Sequence, residues 1–418
     1  MESKSKYFLE KNFIIYLIGK IASVGFSFAS IPLFIKYFGI ADFGRFSLLY
    51  TTFLMFLSGT TGWINQGVLR FHSMERDREA FSSEILFLTV KSAIFSNILL
   101  AGVFWYNNAN LSTIILAVLA FFFACLFGVY TTELQARFKS RIVILSDILR
   151  LSCYFFIPLL IHFIKPDVLP EIAIFTGILV SFFVSFLMIN DWKLPVLNRS
   201  LNRAPKWSRK IWEYGSPMSI WMFLAPTLNT SDRYLISFFL GSAVLGQYSA
   251  LYDVIFKLFP QLTGPFYNII HPMLISSHNK GDVQEFNKIM KRSSVYLMVM
   301  FIGLFLIIYL FKSFIINNYL GFSKEDTAKL EETVVPLLLG SFFWQISFLM
   351  QKRLEIANKT RFMALAMFIS VSIGLLVSIY FVPKFGYLAS AYSTLFSGLI
   401  YIGIITRFKF REWIQWVN

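Results

Sequence analysis

The sequence predicts an all-α polytopic membrane protein, with twelve transmembrane helices in two parallel halves of six and a central cavity between the halves. Three observations predict this fold: an apolar composition, charge-free stretches long enough to cross a bilayer, and a short motif that occurs twice. Of the 418 residues, 56% are hydrophobic and only 15% are charged. Soluble domains carry about 25% charged residues. Because a soluble fold cannot hide so much apolar surface, much of it must face lipid.

Stretches without charged residues mark the expected spans. A helix needs about 20 predominantly apolar residues to cross the hydrocarbon core. The stretch 92–132 is long enough for two spans, and the turn signal at Asn107, Asn108 and Asn110 divides it. The other charge-free spans are 46–69, 172–190, 293–311, 333–351, 362–383 and 385–406, and segments that include isolated charges lie near 13–35, 147–164, 212–239 and 246–275.

The distribution of Lys and Arg predicts the orientation. Outside the spans, 26 of the 38 Lys and Arg fall at the two ends and in even-numbered loops, and seven fall in odd-numbered loops. Cytoplasmic loops carry the excess of Lys and Arg, so both termini are expected in the cytoplasm. The net charge of +15 is attributed to these loops, and a nucleic-acid partner is not expected.

One motif occurs twice. YFGIADFGRFSLLY at 37–50 aligns without a gap with FLGSAVLGQYSALY at 239–252, and Gly39 meets Gly241. The copies lie six expected spans apart, so both halves enter the membrane in the same sense. This is a parallel repeat, an arrangement typical of transporters that rock between two faces. The glycines permit a positive φ in the turn between two helices.

The repeat also predicts the domain organisation. Residues 1–190 form the N-terminal six-helix half, and 212–406 form the C-terminal half. Between them, the basic segment 191–211 is expected to be a cytoplasmic linker, and 407–418 a tail at the cytoplasmic interface.

The repeated segments resemble a known family. LFIKYFGIADFGRFSLLY, the following INQGVLRF, and TLNTSDRYLISFFLGSAVLGQYSALYDV are similar to segments of bacterial polysaccharide (O-antigen) flippases. Their superfamily includes the multidrug (MATE) exporters and the lipid II flippase. The resemblance implies a MATE-like fold in the bacterial plasma (inner) membrane, and the movement of an undecaprenyl-pyrophosphate-linked oligosaccharide from the cytoplasmic to the outer leaflet. The partners implied are this glycan, membrane lipids and the polysaccharide polymerase and chain-length machinery.

Ionisable residues at membrane depth are the candidate site, because a charge inside a bilayer needs a partner, a cavity or a function. Cations facing a central cavity would neutralise a pyrophosphate along its path. The expected substrate-binding cations are Lys20, Lys91, Arg150, Arg233 and Lys257. Asn65, Gln66 and Arg70 end the second span and are expected to contact sugar or pyrophosphate. Asp232 and Asp253 are the candidates for ion coupling.

Other roles for these residues stay open. Lys20, Lys91 and Arg150 lie near the inner boundary, from which long side chains can snorkel to the headgroups. Asp253 and Lys257 are spaced i, i+4 and can neutralise each other. Asn65 and Gln66 can form interhelical hydrogen bonds instead.

Two other functions compete with the flippase. A MATE-type antiporter for cationic drugs would share the fold but have an acidic cavity. A membrane-bound polymerase or acyltransferase would need a long external loop with catalytic residues, and the longest odd loop, near 312–332, holds no such set. The sequence contains no phosphate-binding Walker loop, metal cluster or nucleophile set. We therefore expect a non-enzymatic protein without a cofactor, in which His162 and His271 are structural.

Overall fold

The computed structural model describes residues 24–72, 78–137, 139–189, 206–357 and 359–417. Lys20 and most of the expected linker lie outside these ranges. The described chain is helical, and one π-helical turn at Ile315–Tyr319 follows the ninth helix. The helices are α1 Val24–Phe38, α2 Ile40–Phe71, α3 Arg78–Tyr106, α4 Leu111–Ala136, α5 Ser140–Ile164, α6 Pro170–Ile189, α7 Lys206–Leu240, α8 Ser242–Asn279, α9 Val283–Phe314, α10 Lys324–Ile356, α11 Thr360–Phe385 and α12 Tyr387–Val417.

Nine of the helices in these ranges, α2–α6 and α9–α12, are long and apolar enough to cross a membrane. The expected polytopic all-α fold is confirmed. The three other expected spans, at 13–35, 212–239 and 246–275, correspond to α1, α7 and α8. The described part of α1 is short. α7 contains Asp232 and Arg233, and α8 contains Asp253 and Lys257, and these charges lower the hydropathy of the two helices.

The turns predicted from sequence are present. Asn108 has a φ of 53°, and the Asn107 side chain donates to Val103 O at 2.7 Å, which ends α3 and allows α4 to begin. The repeated glycines precede equivalent helices: Gly39 has φ 88° and ψ 157° before α2, and Gly241 has φ 85° and ψ 171° before α8. The two copies of the motif therefore have the same backbone conformation, which the left-handed freedom of glycine permits.

The chain forms two compact units, and the later helices of each unit pack in the same way. The first unit ends at Phe223 and the second begins at Leu224, with Phe43–Arg45 grouped with the second. Within the first unit, α6 packs against α4 and α5. Within the second, α12 packs against α10 and α11. Corresponding helices are six apart, as a parallel repeat of six helices requires.

The N-terminal part of α7 packs in the first unit. The Glu84 carboxylate of α3 accepts from the backbone N–H groups of Trp207 at 2.8 Å and Ser208 at 3.1 Å. These bonds satisfy N–H groups that have no partner within the helix. At Gly215 a Cβ would lie 2.8 Å from Trp63 O, so only glycine allows this approach of α7 to α2. The unit boundary therefore lies inside α7, the helix that was expected to open the C-terminal half.

The C-terminal segment 407–417 continues α12 without a break, so its backbone is part of the last long helix.

Candidate functional site

Two cations of the second unit meet at one carboxylate. Arg233 of α7 is wholly buried, and its Nη2 donates to Asp253 Oδ1 of α8 at 2.8 Å. Lys257 Nζ lies 2.7 Å from the same oxygen. Two cations therefore share the carboxylate of Asp253. Of the two cations, Lys257 is the partly exposed one: its side chain is 35% exposed, compared with 1% for Arg233.

The guanidinium of Arg233 is held on several sides. Its Nε lies 3.2 Å from Ser249 Oγ, its Nη1 donates to Asn229 O at 3.3 Å, and its Cζ lies 5.0 Å from the ring centroid of Tyr252. A buried guanidinium is stable only when its donors are satisfied in this way. The contacts fix Arg233, and its bond to Asp253 orients that carboxylate.

Asp232 lies in a separate polar pocket of the second unit. Its side chain is 1% exposed. Ser378 of α11 donates to Oδ1 at 3.0 Å, and Thr394 of α12 donates to Oδ2 at 3.1 Å. Asp232 and Arg233 are adjacent in α7, but Asp232 bonds to α11 and α12 whereas Arg233 bonds to α8. A carboxylate with two hydroxyl donors at the junction of α7, α11 and α12 can hold a proton or a small cation.

Arg150 of the first unit is held by aromatic rings. Arg150 of α5 is half-buried, and its Cζ lies 5.3 Å from the Phe182 ring centroid and 5.8 Å from that of Phe127. Its Nε and Nη2 both lie 3.3 Å from Asp147 Oδ1, and Asp147 is itself 41% exposed. Such a long and partly solvated ion pair holds the guanidinium weakly, so Arg150 remains available to an anion.

Lys91 lies on a face of α3 that is otherwise apolar and exposed. Phe87, Ile94, Phe95 and Ile98 occupy positions i−4, i+3, i+4 and i+7 relative to it, and they are 39–68% exposed. Side chains at these spacings share one helix face. This placement favours the alternative interpretation, in which Lys91 snorkels from a lipid-facing stripe.

The three polar residues of α2 have different surroundings. Oδ1 of Asn65 is buried with no hydrogen-bond partner among the described residues, whereas Gln66 is partly exposed. Arg70 is exposed, and its Cζ lies 4.2 Å from the ring centroid of Tyr214 on α7. All three lie at the same end of α2.

The two histidines have structural surroundings. His162 contacts the rings of Tyr37 and Phe38 at 5.8 and 5.3 Å, and His271 Nε2 lies 3.7 Å from Glu355 Oε1. Among the residues that the structure describes, no group of three His, Cys, Asp or Glu could hold a metal ion.

Sequence reasoning missed the neutral partners of these charges. Ser378, Thr394 and Ser249 are ordinary residues in apolar helices and resemble many other Ser and Thr of this chain. A buried Asp predicts that donors exist, but it does not predict which helices supply them. Glu84 gave no signal either, since its role depends on the start of α7.

Comparison with known proteins places this geometry in a family. Residues 9–275 match the family model of the polysaccharide biosynthesis proteins. The chain belongs to this family. No curated protein matches the chain.

Solved structures share the fold of this polysaccharide biosynthesis protein at low identity. An outward-facing multidrug resistance MATE family transporter of the MOP superfamily superposes with a TM-score of 0.72 at 10% identity, over 96% of this chain and 95% of that chain. An inward-facing MATE transporter gives 0.68 at 12% identity, over 94% and 98%. The lipid II flippase MurJ, in an inward closed conformation, gives 0.66 at 15% identity, over 94% and 86%. The fold is that of MOP superfamily transporters.

Proposed function

We propose that the protein translocates an undecaprenyl-pyrophosphate-linked oligosaccharide, an O-antigen or capsule repeat unit, from the cytoplasmic to the outer leaflet of the bacterial plasma membrane. The two units alternate access to the two sides, and both termini lie in the cytoplasm. The glycan would then pass to the polysaccharide polymerase and chain-length machinery. Membership in the polysaccharide biosynthesis family supports a cargo of this class.

The observation that carries the proposal is the shared carboxylate of the second unit. Asp253 neutralises only one of Arg233 and Lys257, and Lys257 is the partly exposed member. A pyrophosphate that reaches Lys257 finds an ammonium group whose counter-ion is already held by a buried guanidinium. Charge-assisted hydrogen bonds to phosphate oxygens are the strong ones. Arg150 supplies an equivalent contact in the first unit.

Asp232 is the proposed coupling group. The carboxylate has two hydroxyl donors on α11 and α12, and it lies one residue from the arginine that positions Asp253. Binding or loss of a cation or proton there would change the packing of α7 against α11 and α12, and this links an ion gradient to the substrate contacts.

A genetic experiment tests the proposal. Deletion of the gene is expected to cause lipid-linked repeat units to accumulate inside the cell and surface polysaccharide to disappear. Expression of the wild-type chain is expected to reverse both effects. The second candidate is a MATE-type cation or drug antiporter, which the fold and the buried acid Asp232 favour. Unaltered polysaccharide with new drug sensitivity in the deletion strain would establish that alternative.

A further inference from the structure

Few residues of α9 are buried by other helices. In its most apolar stretch 17% of the residues are buried, compared with 28–67% in the other eight candidate spans among the described helices. Its exposed stripe includes Val295, Val299, Ile302 and Leu306, which are 50–64% exposed. Such a face contacts the acyl chains of the surrounding bilayer.

A groove of about 560 Å³ lies at the beginning of this face. Its residues recur at helical spacing, so they lie along one side of α9, and all are exposed. We call it the basic groove, and it is lined by Lys288, Lys291, Arg292, Val295, Tyr296 and Val299. The cations come first along the helix and the apolar residues follow. From Lys288 to Val299 the rise is about 16 Å, which covers a lipid headgroup and the upper part of its chains.

The charge of the basic groove is positive. Glu285 Oε2 lies 3.5 Å from Lys288 Nζ, so one carboxylate accompanies three cations. Lys288 and Glu285 are both about half exposed, and such a pair is weak. An anion entering the groove therefore meets an excess of positive charge near the expected end of the hydrocarbon core.

An aromatic pair lies next to the cations along the groove. The rings of Tyr296 and Phe266 of α8 are stacked, with centroids 4.7 Å apart and planes at 18°. Tyrosine is enriched at membrane interfaces because its ring is apolar and its hydroxyl is polar. The stacking fixes Tyr296 at the level where a headgroup meets its acyl chains.

We propose that the basic groove binds an anionic phospholipid of the bilayer. The phosphate lies among Lys288, Lys291 and Arg292, and an acyl chain follows Val295 and Val299. Basic pockets on transmembrane helices are known to recognise anionic headgroups. A second copy of the chain does not fit, since a two-fold contact through this face would bring the three cations against their own copies. The proposal does not depend on the identity of the transported molecule.

Native mass spectrometry of the purified full-length chain tests the assignment. The protein is titrated with phosphatidylglycerol or phosphatidylcholine, and retained lipid is counted. The wild type is expected to retain phosphatidylglycerol selectively, and added salt is expected to weaken this binding. The triple variant K288Q/K291Q/R292Q should bind phosphatidylglycerol on the order of 100-fold more weakly, since each basic residue near a membrane surface contributes about fivefold.

The matched control removes the same charge elsewhere. Lys165 directly follows α5, and Lys324 and Lys329 lie at the beginning of α10; all three are exposed and belong to segments expected on the other side of the membrane from the basic groove. The variant K165Q/K324Q/K329Q is expected to retain phosphatidylglycerol as the wild type does. A V299W variant, which fills the groove and keeps its charge, should also lose lipid. The proposal would be overturned if the wild type retained phosphatidylglycerol and phosphatidylcholine equally, or if both triple variants lost phosphatidylglycerol equally. It would also be overturned if K288Q/K291Q/R292Q lost only an added polyprenyl pyrophosphate and kept phosphatidylglycerol.

Discussion

The two units share a scaffold but differ in what they bury inside it. Both contain the repeated turn, and α4–α6 pack together as α10–α12 do. The motif aligns at an offset of 202 residues, the difference between Phe239 and Tyr37, and this offset also aligns the ends of α1 and α7. At this offset the four charged residues of the candidate site in the second unit have neutral counterparts. The counterparts are Ser30 for Asp232, Ile31 for Arg233, Thr51 for Asp253 and Met55 for Lys257.

The polar groups of the two units are also satisfied differently. In the first unit, Ser30 donates to Ser27 O within α1 and Thr51 donates to Ser47 O within α2, both at 2.8 Å. In the second unit, Asp232 and Arg233 bond to residues of other helices. A scaffold that folds with neutral residues in one copy does not need charges in the other. We therefore attribute the charges of the second unit to function.

The largest effect is expected at Asp232. Replacing Asp232 with Asn keeps a side-chain oxygen that can accept from Ser378 or Thr394, so stability should change by only about 1 kcal/mol. Transport should fall to the level of the deletion strain, because the amide cannot take up a proton or a cation at neutral pH. Surface polysaccharide, measured by immunoblot, reports transport. The counterpart Ser30→Asn should remain active, and an active Asp232→Asn chain would disprove coupling at this residue.

Arg233→Met should cause the largest loss of stability. It removes one partner of a buried ion pair, a change that costs about 3 kcal/mol. Thermal unfolding of the purified protein in detergent measures the loss. The counterpart Ile31→Met exchanges side chains of similar volume and should cost about 1 kcal/mol or less. In the double variant Arg233→Met/Asp253→Asn, part of the loss should be recovered. If Arg233→Met and Ile31→Met unfold alike, the buried pair does not stabilise the second unit.

Lys257 and Lys91 should respond differently to the same substitution. Lys257→Gln removes a charge-assisted hydrogen bond to the substrate, worth about 2 kcal/mol, and should reduce the transport rate more than 10-fold. Lys257→Arg should retain most of the rate. Lys91→Gln should leave transport unchanged, because Lys91 lies on a lipid-facing stripe. Pulse labelling of surface polysaccharide measures all three, and the reverse ranking would place the substrate path along α3.

The smallest effects should be equal in the two units. Gly39→Ala and Gly241→Ala each place a Cβ on a residue with φ near +85° and an extended ψ, a conformation essentially restricted to glycine, which costs about 1–3 kcal/mol. Nothing lies within 4 Å of either added Cβ, so the backbone strain is the whole cost. Thermal unfolding in detergent compares the two variants. A difference of several kcal/mol would mean that the two turns are not structurally equivalent.

The sequence predicted the scaffold well because that scaffold depends on local signals. The asparagines at 107–110 and the positive-φ glycines each mark a turn by their own conformational preferences, and both were observed. The spacing of Asp253 and Lys257 likewise allowed their contact. The partners of Asp232 and Arg233 could not be predicted, since Ser378 and Thr394 reach Asp232 only through the packing of helices distant in sequence. The charges of α7 and α8 are likewise compensated by tertiary contacts, and the hydropathy of a sequence does not record such contacts.

Transport by the purified chain tests the central claim most directly. The protein is reconstituted into liposomes that contain labelled undecaprenyl-pyrophosphate-linked oligosaccharide in both leaflets, under an imposed proton or sodium gradient. A membrane-impermeant glycosidase outside then cleaves the accessible glycan. Our account predicts that wild-type chains make the inner-leaflet glycan accessible, and that Lys257→Gln chains expose it at least 10-fold more slowly. Accessibility that stays at the value of protein-free liposomes under either gradient would contradict it.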